Sequence, residues 1–484
     1  MKNKINVFYR KYIDLPIAAK ATLWFMICSI LQKGISFLTT PIFTRMMSTQ
    51  QYGQYSVYCS WNAILCIFTT FRLDWAVFNK GMSKYKEDRD GYAATMQTIT
   101  FMLTILCLLV YLLFQRRINA LTELPTFVML GMFIELMVSP ATNFWTTRRR
   151  YDYKYKAVVS RTLLMTLANA LIGIIFVVGA NEKGYARIAS CIFVNFTFGL
   201  VLMISNYKNG KIFLKMEYAK FAIRFNIPLM LHYISQYILD QFDRVMIQKM
   251  CGIAATGIYN VAYNVGMVMK IVTGSINNAL VPWQYGKLEK KEFKRHDDVL
   301  FAIYCVLALL SIAFSGMAPE LMLVLGGAKY KEGAVIVPAV ALAMFYTFMY
   351  TTIANIEFYY ELTSFTMYIS MAGAVVNLVL NYVGIKLFGY AAAAYSTAIC
   401  YFLFSVGHLI YVIYSLKNKF GYEKIFNVRR IVIINVVAVF LSLIMMVVYN
   451  NLILRYLLIV IIFVSLYFKR ETVKHALSEI KKKD

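Results

Sequence analysis

Apolar residues along this chain come in blocks of about twenty, the length that crosses a bilayer core as a helix. The blocks lie near residues 20–42, 53–79, 92–114, 125–147, 157–180, 185–206, 222–247, 253–281, 298–325, 334–357, 363–387, 390–416, 429–449 and 452–468. They predict an all-α integral membrane protein with about fourteen transmembrane helices. The polar segments between them are short, none beyond about twenty residues, which leaves no room for a soluble catalytic domain. No low-complexity stretch or Pro/Gly/Ser-rich linker marks a further domain. Met1–Pro16 is basic and mixed in polarity, with no small-residue cleavage site after it, so the first span is expected to stay in the mature protein.

Composition supports the same class. Hydrophobic residues make up 60% of the 484 positions, with a mean hydropathy of +0.60, whereas a soluble domain holds about 45–50% apolar residues. The net charge of +26 would suit nucleic acid, but its distribution excludes that reading. Lys2, Lys4, Arg10 and Lys11 precede the first span, and every second loop is then basic. These loops carry Lys80/Lys84/Lys86/Arg89, Arg148/Arg149/Arg150/Lys154/Lys156, Lys208/Lys211/Lys215/Lys220/Arg224, Lys287/Lys290/Lys291/Lys294/Arg295 and Lys417/Lys419/Lys424/Arg429/Arg430. Lys469, Arg470, Lys474 and Lys481–Lys483 follow the last span. The loops between hold one or two basic residues each, such as Arg116/Arg117. This is positive-inside patterning, and it expects both termini in the cytoplasm and an even number of spans. The segment Glu357–Thr363, without Lys or Arg, is the one exception. A cysteine replacing Arg116 should react with an impermeant reagent added to intact cells, and one replacing Arg149 should not; labelling at position 149 would reverse the orientation.

Charges inside the spans carry the functional information. Lys33, Arg72, Arg161 and Lys270 all fall within predicted spans. Each costs roughly 2.5–3.5 kcal/mol at mid-bilayer, so the four together cost on the order of 10 kcal/mol unless solvated or paired. That is comparable with the stability of a whole domain, and a water-filled cavity would remove most of it. Helical spacing places Ser29, Lys33, Ser36 and Thr40 on one face of the first span, and Tyr55, Tyr58, Asn62, Thr69 and Arg72 on one face of the second. His232, Gln236, Asp240, Asp243 and Arg244 share a face of the seventh, and Tyr263, Lys270, Thr273 and Asn277 a face of the eighth. Thr347, Thr351 and Asn355, then Ser370, Asn377 and Asn381, form milder stripes that equally suit interhelical hydrogen bonding.

Asp240 and Arg244, four apart, are expected to pair within their helix. Asp74, two residues from Arg72, should point elsewhere on a continuous helix, although Asp74 and Glu135 remain candidate partners in space. A surplus of intramembrane cations favours an anionic substrate. Asp74, Glu135, Asp240 and Asp243 keep open a coupling role for protons or sodium. The eight cysteines and four histidines form no metal or redox spacing, so no metal or cofactor is expected.

Thr44-Arg45 with Tyr52-Gly53-Gln54-Tyr55, and Asp243-Arg244 with Gly257-Ile258-Tyr259, recur six spans apart. An even separation would make the two halves parallel repeats. Four stretches resemble the polysaccharide-transport flippases, the Wzx type, of the multidrug/oligosaccharidyl-lipid/polysaccharide exporter superfamily. They are Pro41-Ile42-Phe43-Thr44-Arg45 with Tyr52–Tyr55; Asp243-Arg244 with Gly257–Tyr263; Ala318-Pro319-Glu320 with Leu325–Tyr330 and Gly333-Ala334; and Asn377–Asn381 with Gly389–Ala393. Tyr390-Ala391-Ala392 departs from the family's more usual second glycine.

The resemblance implies two six-helix bundles in a V and two further C-terminal helices. The expected division is 1–206, then 207–416 with a cytoplasmic linker at 207–221, then 417–484. It implies alternating access around a central cationic cavity formed by Lys33, Arg72, Arg161 and Lys270, with no catalysis. The cargo would be an oligosaccharide on undecaprenyl diphosphate, for O-antigen, capsule or a similar surface polysaccharide. Other polysaccharide-assembly proteins and membrane lipids would be its partners. Two alternatives are a multidrug extruder of the same superfamily, whose cargo is usually cationic, and a membrane enzyme of polysaccharide assembly. For the latter, His232 and His408 show no acidic partner in a recognised motif.

Overall fold

The computed structural model describes residues 15–422 and 426–468, apart from the side chains at 279, 363–367, 370 and 466–468. The basic residues Lys2, Lys4, Arg10, Lys11, Lys424, Lys469, Arg470, Lys474 and Lys481–Lys483, and the side chain of Ser370, lie outside the described residues. All elements among the described residues are helical. They fall into two compact units, one up to Ile234 and one from Ser235 onward.

The first unit holds α1 (Ile17–Met46), α2 (Thr49–Thr70), α3 (Ala76–Lys84), α4 (Arg89–Leu113), α5 (Gln115–Thr122), α6 (Thr126–Val138), α7 (Pro140–Tyr151), α8 (Tyr155–Val178), α9 (Lys183–Gly210) and α10 (Met216–Asn226). α11 (Met230–Cys251) begins in it and continues into the second. The second unit continues with α12 (Ile253–Gly266), α13 (Val268–Glu289), α14 (Phe293–Gly316), α15 (Ala318–Leu325), α16 (Ile336–Tyr359), α17 (Thr363–Phe388), α18 (Ala392–Phe420), α19 (Val428–Val447) and α20 (Leu452–Phe468).

Ten segments among the described residues are long and apolar enough to cross a membrane, and Leu452–Ser465 is a shorter apolar helix. The spans expected at 53–79, 222–247 and 253–281 are not in that set. They carry the strongest polar stripes, and all three are broken, at residues 71–75, at the 3-10 turn Ile227–Leu229 and at Met267. With these the helices fit about fourteen spans.

Local chemistry sets several boundaries. Ser48 accepts from the Gln51 amide while the Gln51 side chain accepts from the Ser48 amide, a capping box that starts α2. Pro140 occupies the first turn of α7, where its missing N–H costs nothing, and so divides the fourth span.

In the first unit α9 packs against α2, α4, α6, α7 and α8. It comes close because Gly199 faces Val138, whose carbonyl carbon would lie 2.8 Å from an added Cβ. In the second unit α16 is the central helix, buried along most of its length against α12, α13, α14 and α18. α19 and α20 dock on α14 and α15. Tyr449 donates to the Ser315 carbonyl at 2.9 Å, and buried Arg455 pairs with Glu320. α10 is tied to the first unit through Tyr218, which donates to Asp88 at 2.7 Å and meets Lys215 at 3.0 Å. Burial pushes the Tyr218 phenol up, so it stays a donor.

Candidate functional site

Each unit holds its own polar interior. In the first, the predicted stripe of α2 becomes a column of partnered groups. Arg187 lies buried between the rings of Phe43 and Tyr55, 4.5 and 4.6 Å from their centres. It donates to Asn169 at 2.9 Å, Ser190 at 3.1 Å and the Tyr55 hydroxyl at 3.3 Å. One turn further along α2, the Tyr58 hydroxyl donates to Glu135. Asn195 donates to the other Glu135 oxygen at 2.8 Å, with Asn62 alongside. Glu135 is only 4% exposed, so these neutral donors replace the water it gives up.

The column ends where α2 breaks. Phe71 and Arg72 both adopt φ of 49°, a left-handed conformation costing roughly 1–2 kcal/mol per non-glycine residue. Asn226 compensates by donating to the freed Phe71 carbonyl. The break also corrects the sequence expectation for Asp74. With the chain reversed at residues 71–72, the Arg72 guanidinium comes within 3.9 Å of the Asp74 carboxylate. Asp74 accepts from Asn143 at 3.0 Å, and Arg72 lies over Trp75 at 5.0 Å and Tyr233 at 5.8 Å.

Lys33 stands midway along α1, exposed, and makes no hydrogen bond or ion pair among the described residues. Its neighbours Ser29 and Thr40 turn their hydroxyls onto carbonyls of their own helix. Arg161 is exposed on α8, 4.5 Å over the Trp145 ring.

In the second unit the expected Asp240–Arg244 pair does not form. Arg244 instead pairs with its chain neighbour Asp243 at 3.0 Å and reaches only the backbone carbonyl of Asp240, at 2.8 Å. Two further contacts hold this arrangement: Tyr259 donates to Asp243 at 2.5 Å, and Asn260 accepts from Arg244 at 3.2 Å. The Tyr263 ring lies 4.4 Å under the guanidinium. The stretch Gly257–Tyr263 and the pair Asp243-Arg244, distant in sequence, thus form one buried knot between α11 and α12.

The break at Met267 divides the stripe of the eighth span. Tyr263 goes to the knot. Lys270 stands exposed at the start of α13. Asn277 accepts from Asn355 at 3.1 Å, which also donates to Gln284 at 3.0 Å. Asn377 and Asn381 bond each other at 3.0 Å, fully buried. The structure therefore places Lys33, Arg72 and Arg161 in the first unit and Lys270 in the second.

Residues 18–284, more than half of the chain, match the family model described as "Polysaccharide biosynthesis protein", and residues 228–383 match that described as "MatE". The chain belongs to the polysaccharide biosynthesis protein family. An uncharacterized membrane protein of Haemophilus influenzae is 22% identical over 280 residues, 56% of this chain and 66% of that protein. The chain spans less than two thirds of the length of the curated relatives it matches. Among solved structures, the lipid II flippase MurJ in an inward closed conformation superposes with a TM-score of 0.69 at 12% identity, over 93% of this chain and all of that one. An inward-facing multidrug resistance MATE family transporter of the MOP superfamily superposes at 0.58 and 12% identity, over 80% of this chain and 96% of that one. These likenesses establish the fold. Together with the family they place the chain in the multidrug/oligosaccharidyl-lipid/polysaccharide exporter superfamily.

Two features of this family member were missed in its sequence. His408 does have an acidic partner. Its Nδ1 lies 2.7 Å from Glu357, which is 51 residues away, and both are buried. The Tyr350 ring stacks on His408 at 5.7 Å. Glu357 had been read as part of a loop, but it is the buried end of α16. Arg187 falls within the span expected at 185–206, and its one signal in the sequence is its place as a cation a single turn inside an apolar block.

Proposed function

We propose that the chain is a flippase that moves an oligosaccharide on undecaprenyl diphosphate across the cytoplasmic membrane. Surface polysaccharide assembly, such as that of O-antigen or capsule, would receive the product. The observation that carries this reading is the match to the whole of a lipid II flippase in a chain of the polysaccharide biosynthesis family. The charges agree with it. Lys33, Arg72, Arg161 and Lys270 supply the cations that a diphosphate head requires, while its prenyl chain stays among lipid tails. Six-helix bundles at 1–206 and 207–416 would alternate access, with 417–484 appended and both termini cytoplasmic. This reading needs no catalytic residue, since the cargo changes sides and not its bonds. Asp74, Glu135, Asp240 and Asp243 remain the carboxylates available to protons or sodium.

The MatE match over 228–383 favours a second reading, an extruder of cationic compounds. One deletion separates the two. Loss of the gene should leave glycan on its lipid carrier inside the cell and remove it from the surface, with unchanged susceptibility to cationic dyes. Normal surface glycan, in a strain without a second flippase, would overturn the proposal. Raised dye sensitivity with normal glycan would establish the extruder.

A further inference from the structure

Residues 148–161 of the first unit hold a crowd of basic side chains that divide into two kinds. Arg148 is consumed by carboxylates. It donates from Nε and Nη2 to the two oxygens of Asp90, each at 2.9 Å, and its Nη1 lies 2.7 Å from Asp152. Arg149, Arg150 and Arg161 have no carboxylate partner among the described residues. Each lies on an aromatic ring instead. Arg149 and Arg161 sit over Trp145 at 5.8 and 4.5 Å, and Arg150 sits over Phe25 at 5.0 Å. Trp145 and Phe25 belong to one hydrophobic cluster, so three cations from α7 and α8 gather beside α1.

The chemistry of stacking decides what such a group can bind. A ring satisfies the face of a guanidinium and holds it in place. The N–H donors lie in the plane and stay available, in the fork that matches phosphate oxygens bidentately. Three like charges held together repel, and a multiply charged anion relieves that repulsion. Arg149 is half-buried, and Arg150 and Arg161 are exposed, so an anion can reach them. Met26, next in the chain to Phe25, and Leu164, one turn along α8 from Arg161, are exposed at 54% and 58%, surface that an apolar chain can cover. The favoured ligand therefore carries both a phosphate head and a lipid tail.

We propose that Arg149, Arg150 and Arg161, seated on Trp145 and Phe25, form a docking site for a lipid diphosphate, where the cargo is first held on the cytoplasmic side. The site names a station for the cargo of the flippase reading and rests on that reading. It shares only Arg161 with the cavity set, and that residue sits on the Trp145 platform with Arg149, which Lys33, Arg72 and Lys270 do not join.

Binding to the purified full-length protein in phosphatidylcholine nanodiscs tests it, with undecaprenyl diphosphate, inorganic diphosphate and phosphatidylglycerol as probes. Each basic residue near a membrane surface contributes roughly fivefold in affinity. The R149Q/R150Q/R161Q variant should therefore bind undecaprenyl diphosphate about 100-fold more weakly, while K386Q, at an exposed lysine of the second unit, keeps its binding. The R149K/R150K/R161K variant retains the charge and the fold but loses the fork, and should fall between. Unchanged binding in both triple variants overturns the site. Equal affinity for phosphatidylglycerol, lost in the same way, makes it a site for bulk anionic lipid and overturns the cargo role. Inorganic diphosphate binding as tightly as the prenylated form removes the lipid. In cells, normal glycan export by the triple glutamine variant, where deletion abolishes export, sinks the docking site and leaves the flippase reading standing.

Discussion

Arg244→Met is expected to destabilise the second unit by about 3–5 kcal/mol, the cost of leaving one member of a buried ion pair alone. Asp243 is 2% exposed and Arg244 6% exposed, so water cannot replace the lost guanidinium. The substitution also strips the Asn260 side chain and the Asp240 carbonyl of their donor, and the Tyr263 ring of its cation. Thermal unfolding of the detergent-solubilised protein, followed by size-exclusion chromatography, should show a clear fall in midpoint. Asp243→Asn added to Arg244→Met removes the stranded charge while Tyr259 keeps an acceptor, and should recover at least half of the loss. A single variant as stable as the natural protein would show that the knot does not hold α11 to α12.

Lys33→Gln is expected to cut glycan export about 10- to 100-fold while the protein still inserts and accumulates, if the lysine makes a charge-assisted contact with the cargo head worth about 1.5–3 kcal/mol. Lys33 is the sharpest test of the cationic cavity, because no described side chain pairs with it. A structural role would predict lost accumulation instead, and the two are read on the same blot and export assay. Reversal to Glu should be worse still. Arg72 is less clean, since Asp74 lies 3.9 Å from it. For Arg72 the pairing view predicts that Arg72→Gln with Asp74→Asn restores export. Full export by the single Lys33 variant, or rescue by the double variant, would remove these residues from the substrate site.

The pairing of these charges shows where sequence reading stopped. The break at Phe71 and Arg72 uses neither glycine nor proline, the residues that ordinarily announce one. A continuous helix was the natural expectation there, and it put Asp74 on the wrong side. Spacing of four suggested Asp240 for Arg244, but Tyr259 and Asn260 from α12 hold the guanidinium toward Asp243. No local rule could join His408 to Glu357 across 51 residues, nor seat Arg187 between Phe43 and Tyr55.

Tyr55, Tyr58 and Asn62 share one face of α2, because a helix of known pitch fixes which side chains line up, whereas Arg72 falls beyond the helix end at Thr70. What each one touches was open, because that depends on α6, α7 and α9. Membrane insertion is a sum of local transfer terms over contiguous residues, so the order of residues determined it alone, and the charge pattern of the loops sets the expected orientation. The partner of each buried charge depends on side chains that separate helices bring within about 3 Å of one another. Only packing sets those distances, and so only the tertiary structure decided which cations are paired and which, like Lys33, make no ion pair among the described residues.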